Sequence, residues 1–291
     1  MRRRDFLASS AAAAASATGR LPIGKGILLG MLPRNMSYAE RCRLAREVGF
    51  EALEVGTIED PAEAAEIKKA AEAAGLRIHS VMNQAHWKYP LSSADPDVVE
   101  RSIQGMQTSL ENARLWGADV VLLVPAVVNA ETGYREAWER SQRQIRRLLP
   151  LAERHKVTIA VENVWNKFLL SPLEFARYVD EFASPWLRAY FDVGNVVLFG
   201  FPEDWIRTLG KRIVRVHLKD FRFRKRVAEF VNLGEGDVNW PAVYRSLAEI
   251  GYKGPATLEL PGGDVEYLKD LSRRVDRILE GGQNVSGSAG S

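Results

Sequence analysis

Four residues stand out by type and by place: Glu162, Asp192, His217 and Glu259. Each closes a short apolar run: Ala160-Val161-Glu162, Tyr190-Phe191-Asp192, Val214-Arg215-Val216-His217 and Thr257-Leu258-Glu259. A carboxylate or imidazole at the buried end of an apolar strand is costly unless it is paired or bound to a metal. One such residue would say little, but four in successive runs point to a shared site. Three carboxylates and one imidazole form a mostly hard donor set. It suits a single divalent ion, Mn²⁺ first, with Mg²⁺, Co²⁺ and Zn²⁺ as alternatives. Cys42 is the only cysteine, which excludes a thiolate zinc cluster and an internal disulfide and reads as a small core side chain. The competing reading of the four residues is a buried network of salt bridges and hydrogen bonds.

The elements that must position them follow from hydrophobic patterning. Apolar runs near 25–30, 52–55, 76–82, 119–124, 157–162, 188–192, 213–218 and 255–260 read as strands. Several, such as Val120-Val121-Leu122-Leu123-Val124, are continuously apolar, as in parallel strands buried on both faces. Helical patterns lie near 37–49, 61–75, 96–117, 134–155, 171–182, 203–210, 239–251 and 264–280. Ser37, Asp60 (followed by Pro61) and Ser171 are expected N-caps, and Gly49, Gly75, Gly117 and Gly251 are expected at C′ positions. Strict alternation of eight strands with eight helices predicts an α/β fold, a single (β/α)8 TIM barrel spanning 21–280. An open doubly wound sheet is disfavoured, because no G-x-G-x-x-G follows the first strand. In a barrel, active sites form at the C-terminal ends of the strands, which is where the four residues fall.

The segments VENVWNKFLLSP, YFDVGNVVLFG, RVHLKDF, LGEGDVNW and GYKGPATLEL resemble the xylose-isomerase-like sugar phosphate isomerase/epimerase superfamily. Within it they are most similar to ketose 3-epimerases and pentulose-5-phosphate 3-epimerases. The resemblance covers roughly 22–280 and is strongest from 157 onward. It implies a TIM barrel, a metal held by Glu162, Asp192, His217 and Glu259, and a catalytic role for Glu162 and Glu259. The chemistry fits those residue types. Epimerising the carbon beside a ketone requires removal of a weakly acidic proton, and a bound Lewis acid stabilises the enediolate that develops. One carboxylate takes the proton from one face and a second returns a proton to the other.

Six further residues are expected at the substrate: His79, His86, Asn163, Asn195, Lys219 and Arg222. His79 ends the third strand; a satisfied core histidine is the alternative. His86-Trp87 is a pocket-wall candidate, and Asn163 is placed to orient Glu162. Lys219 shares a strand face with His217 by alternation. Asn195 stands where the similar free-ketose epimerases often carry His, which brings this chain closer to the pentulose-phosphate branch. Trp165 and Phe168 read as an apolar lid or as plain core. Asp220 reads as the partner of a neighbouring base. The run Arg222-Phe223-Arg224-Lys225-Arg226 follows strand seven, where barrels of this kind commonly bind phosphate; a solvated basic loop is the default.

The chain has 291 residues, 40 Lys/Arg against 37 Asp/Glu and a net charge of +3, so bulk charge offers nothing to a nucleic acid. Arg3-Arg4-Asp5-Phe6-Leu7 and the Ala-rich run after it read as a twin-arginine signal over 1–20, which predicts export of the folded protein to the periplasm without membrane insertion. A non-functional signal would leave it in the cytoplasm. The Gly/Ser-rich segment 281–291 reads as a disordered tail. Partners reduce to a small sugar substrate, with assembly into a homo-oligomer left open. The expected function is metal-dependent 3-epimerisation of a ketose or ketose phosphate. Alternatives are a lyase acting on an oxidised (keto) glycoside, a non-catalytic sugar-binding barrel, and a phosphodiester hydrolase, the last disfavoured by a total of four histidines.

Overall fold

A computed structural model describes residues 19–225 and 227–281. The expected export signal and the Gly/Ser-rich tail lie outside the described residues, apart from positions 19, 20 and 281. The strands are β1 (Lys25–Leu28), β2 (Ala52–Gly56), β3 (Arg77–Met82), β4 (Val120–Leu123), β5 (Thr158–Glu162), β6 (Leu187–Asp192), β7 (Ile213–Leu218), β8 (Asp220–Arg224), β9 (Val227–Val231) and β10 (Ala256–Leu258). Eight of them close into a parallel barrel in the order β1-β10-β7-β6-β5-β4-β3-β2. The fold is a single α/β TIM barrel, as the alternation of patterns implied.

The surrounding helices are α1 (Tyr38–Glu47), α2 (Pro61–Ala73), α3 (Pro96–Trp116), α4 (Tyr134–His155), α5 (Pro172–Asp180), a one-turn α6 (Val193–Val196), α7 (Pro202–Leu209), α8 (Trp240–Glu249) and α9 (Val265–Leu279). Ser37, Asp60 and Ser171 each accept a backbone N–H at the start of a helix, and Ser37 forms a full capping box with Glu40. Gly49, Gly75, Gly117 and Gly251 all take positive φ, the left-handed turn that a side chain disfavours. Cys42 is buried on α1.

Strand alternation divides the apolar residues between two places. Val121, Leu123, Ile159, Val161, Ala189 and Phe191 join the large core between barrel and helices. Val120, Leu122, Ala160 and Tyr190 form a small separate cluster inside the barrel. Continuing the alternation carries Glu162 and Asp192 onto the inner face at the open end.

The basic run after strand seven is not a loop. Asp220–Arg224 pairs antiparallel with Val227–Val231, and the turn passes through Lys225 at φ 49°. Asp-Phe-Arg-Phe-Arg alternates polar and apolar with the period of a strand, a signal masked by its charge. Asp220 anchors this hairpin. Fully buried, it accepts the N–H of Phe221, Gly234, Gly236 and Val238 and the indole N–H of Trp240. It therefore binds backbone amides rather than the neighbouring base expected from sequence. Gly236 is needed there, because a Cβ would lie 2.2 Å from Asp220 Oδ1. Asp220→Ala strands several buried donors and should destabilise the fold by about 3 kcal/mol or more. Urea denaturation checks this; a loss under about 1 kcal/mol contradicts it.

Candidate metal centre

Four adjacent staves of the barrel, β5, β6, β7 and β10, deliver Glu162, Asp192, His217 and Glu259 to one point. Their donor atoms all lie within 4.8 Å of one another. His217 Nδ1 is 2.9 Å from Glu162 Oε1, 2.8 Å from Glu259 Oε2 and 3.7 Å from Asp192 Oδ2. Asp192 divides its carboxylate between two tasks. Oδ1 accepts the Asn195 N–H at 2.7 Å and caps α6, whereas Oδ2 faces the cluster. Asp192 Oδ2 and Glu259 Oε2 are buried without a well-directed hydrogen bond, although cationic nitrogens stand close by. Orphaned buried carboxylate oxygens, converging with an imidazole nitrogen, fit a divalent cation.

The surroundings set the charge states. Burial pushes the Glu162 carboxyl up to about 7, with the charge of Glu259 adding to the effect and His217 opposing it. Burial likewise raises Asp192. At Glu259 burial is outweighed by His217 and Lys219, and its carboxyl is held well below the usual range. His217 is raised despite its burial, because Glu259 and Glu54 favour the imidazolium. Lys219 Nζ lies 2.8 Å from Glu259 Oε2 and 3.2 Å from Asp192 Oδ2, and these carboxylates outweigh burial to hold its ammonium charged.

Glu54 on β2 was not singled out from sequence, yet it meets His217 Nε2 at 3.1 Å. The available signal was a lone acid inside the apolar run Ala52-Leu53-Glu54-Val55. His79 sits lower in the barrel, fully buried, and both ring nitrogens are engaged, by Arg215 Nε at 3.0 Å and Thr257 Oγ1 at 2.8 Å. It occupies the satisfied core position rather than the rim. Asn163 brackets the backbone of Asp192, donating to its carbonyl and accepting its N–H, both at 2.9 Å. Asn195 donates to the Asn163 carbonyl. These two amides thus hold Asp192, not Glu162, in place. Arg222 is turned to Glu229 and to the Glu235 carbonyl.

His86 is buried and accepts the Val124 N–H through Nδ1, which leaves its ring proton on Nε2; burial lowers its pKa to about 4. Phe168 is core, packed on Tyr134, Trp138 and Tyr178. Trp165 is 38% exposed and stacks on Phe230 of β9, whose ring lies 5.4 Å from Lys219 Nζ. Trp87, beyond β3, is 54% exposed. Aromatic side chains thus reach the rim from β3, β5 and the hairpin after β7, alternate staves around the barrel.

With this geometry in place the comparisons are decisive for the family. The model of the xylose isomerase-like TIM barrel matches residues 42–279. The chain belongs to that family. It is 27% identical over 263 residues to L-ribulose-5-phosphate 3-epimerase UlaE of Salmonella paratyphi A, covering 84% of this chain and 92% of that one. Among solved structures it superposes on D-psicose 3-epimerase of Clostridium cellulolyticum H10 with D-tagatose, at TM-score 0.70 and 19% identity over 89% of this chain and 97% of the other. It also superposes on a xylose isomerase-like TIM barrel protein from Mycobacterium smegmatis in complex with magnesium, at TM-score 0.68 and 16% identity over 90% and 97%. The last two likenesses speak for the fold.

Ligand groups must shed protons to bind a cation. With Glu162 near 7 and His217 held protonated, cation binding should release protons, so affinity should fall as pH drops and fall more steeply below about 7, where Glu162 also takes up its proton. The expected slope is about tenfold per pH unit for each proton released. Calorimetric titration with Mn²⁺ in buffers of differing ionisation enthalpy reads both effects; a pH-independent affinity contradicts the assignment.

Proposed function

We propose that this chain is a metal-dependent ketose 3-epimerase, acting on a ketose or a ketose phosphate. The observation that carries the reading is the convergence of Glu162 and Glu259 on His217 Nδ1 from staves separated by β6 and β7. Two carboxylates that approach one point from different sides can flank a bound sugar. One removes the proton beside the ketone and the other returns a proton to the opposite face. Without a cation their environments push them apart, Glu162 upward and Glu259 downward; a bound cation would draw the proton from Glu162 and leave both carboxylates ionised, each able to accept a proton from its own face.

A divalent ion held by Glu162, Asp192, His217 and Glu259, Mn²⁺ first, would supply Lewis-acid polarisation of the substrate carbonyl and so raise the acidity of the adjacent C–H. Asp192 and His217 serve as anchors. Lys219 offers a fixed positive charge to a substrate oxygen, and His86 offers its Nε2–H. The relative named L-ribulose-5-phosphate 3-epimerase supports a ketose phosphate as substrate. The test is exchange in D₂O with L-ribulose, D-tagatose, D-psicose and L-ribulose 5-phosphate. Deuterium should enter at C3. Glu162→Gln and Glu259→Gln should each lower turnover roughly 10²–10⁴-fold. Full activity in both variants would sink the assignment.

The exposed aromatic rim favours a second reading, a lyase on an oxidised glycoside, since Trp87, Trp165 and Phe230 suit an apolar aglycone. Release of p-nitrophenol from a p-nitrophenyl 3-ketoglycoside, without epimerisation at the carbon beside the ketone, distinguishes it. The Arg3-Arg4 pair supports export of the folded protein. Replacing both by Lys should retain the protein in the cytoplasm; unchanged fractionation refutes export by that route. No helix among the described residues is long and apolar enough to cross a membrane.

A further inference from the structure

The inside of this barrel carries a column of polar side chains that ends on the metal-centre histidine. At its lower end Arg215 meets Asp119, and its Nε–H donates to His79 Nδ1 at 3.0 Å. Guanidinium has no acceptor, so this direction is fixed. Burial and Arg215 hold His79 neutral, with a pKa of about 3. Its single proton therefore sits on Nε2 and points to Thr257 Oγ1, 2.8 Å away. Gly26 makes room, because a Cβ there would stand 3.0 Å from His79 Nε2 and 2.9 Å from Thr257 Oγ1. Thr257 Oγ1 lies 3.4 Å from the Tyr190 oxygen, and Tyr190 gives its own proton to Glu54 Oε2. Ser80 donates to the same Oε2 at 2.6 Å.

Glu54 is thus the acceptor on which the column terminates. It is fully buried, and hydroxyl donors alone do not offset a buried carboxylate charge. Its remaining oxygen, Oε1, faces His217 Nε2 at 3.1 Å. On the far side of the ring, Nδ1 faces Glu162, Asp192 and Glu259. A neutral imidazole has one N–H and one lone pair, and the carboxylate decides which nitrogen keeps the proton.

We infer that Glu54, held by Tyr190 and Ser80, is a positioning residue that takes the Nε2–H of His217 and thereby presents the Nδ1 lone pair to the point where Glu162, Asp192 and Glu259 converge. This rests on the reading of those four residues as a metal centre. Gln cannot replace Glu54 in the role. Its oxygen is a neutral, weaker acceptor for the Nε2–H, and its NH₂ can be met only if the Tyr190 and Ser80 hydroxyls both turn round to accept.

The test measures Mn²⁺ affinity by electron paramagnetic resonance and the His217 tautomer by long-range ¹H–¹⁵N correlation in the Mg²⁺-loaded protein. Glu54→Gln should weaken Mn²⁺ binding about 10–100-fold, the usual cost of losing such an orienting partner. Tyr190→Phe, which removes one donor to Glu54 and keeps the ring, should show a smaller loss in the same direction. In wild type, His217 should carry its proton on Nε2, and a mixture of tautomers should appear in Glu54→Gln. A merely structural role would lower the melting temperature and leave affinity and tautomer of the folded protein unchanged. A folded Glu54→Gln that binds Mn²⁺ within about twofold of wild type overturns the inference. Should Glu54→Gln fail to fold, an Nδ1–H tautomer in loaded wild type, or undiminished binding by Tyr190→Phe, overturns it instead. Wild type that takes up no divalent ion overturns the metal centre itself, a distinct outcome.

Discussion

The open end of the barrel is governed by one electrostatic constraint. Buried Glu162 and Asp192 and the partly buried Glu259 are held together around His217. Like charges at such range, in a low-dielectric place, cannot all be ionised without a cation among them. Within the chain, His217 and Lys219 supply positive charge, and Glu162 responds by rising towards neutrality. A divalent ion meets the same need more completely, because it satisfies several carboxylate oxygens at once. The arrangement is therefore one in which folding concentrates negative charge and a divalent cation would relieve it.

The barrel tolerates this because its backbone ladder is closed and leaves no edge unpaired. TIM barrels ordinarily fill their interior with layers of branched apolar side chains. Here a small apolar cluster of Val120, Leu122, Ala160 and Tyr190, with Met82 and Val214 against it, fills only part of the interior among the described residues. The remaining interior is taken by Arg215, His79, Thr257, Ser80 and Glu54, all buried and hydrogen-bonded to one another or to Tyr190. A fully satisfied polar network in such surroundings is rigid, since breaking any one bond strands a buried donor or acceptor. That rigidity holds the imidazole at the rim in one orientation. On the β5–β6 side, Asn163 and Asn195 perform a similar service for Asp192 through backbone contacts.

The outer parts of the rim are built differently. Asp220 gathers amides from the segment that leads into α8 and so ties the β8–β9 hairpin to the barrel. The hairpin then sets Phe230 against Trp165 and beside Lys219. A charged centre bordered by aromatic faces is suited to sugars, whose hydroxyls seek charge and whose C–H faces seek aromatic rings.

The sequence by itself determined the barrel, the placing of all eight barrel strands to within two residues at either end, and the four residues that converge at its open end. Those features are local. Strand period, helix caps and a polar residue at the end of an apolar run are written in neighbouring positions. Charge masks the β8–β9 hairpin, because Arg222 and Arg224 give the alternating Phe221 and Phe223 the composition of a solvated basic loop. What only the tertiary structure decided was partnership across the barrel. Glu54 and His217 are 163 residues apart, and His79 and Arg215 are 136 apart. Closure of the sheet brings such residues into contact, and no pattern along the chain encodes which inward-facing side chain will meet which. Thus His79, read at the rim, lies in the column, Asn163 holds Asp192 rather than Glu162, and Glu54, silent in the sequence, stands behind the histidine of the centre.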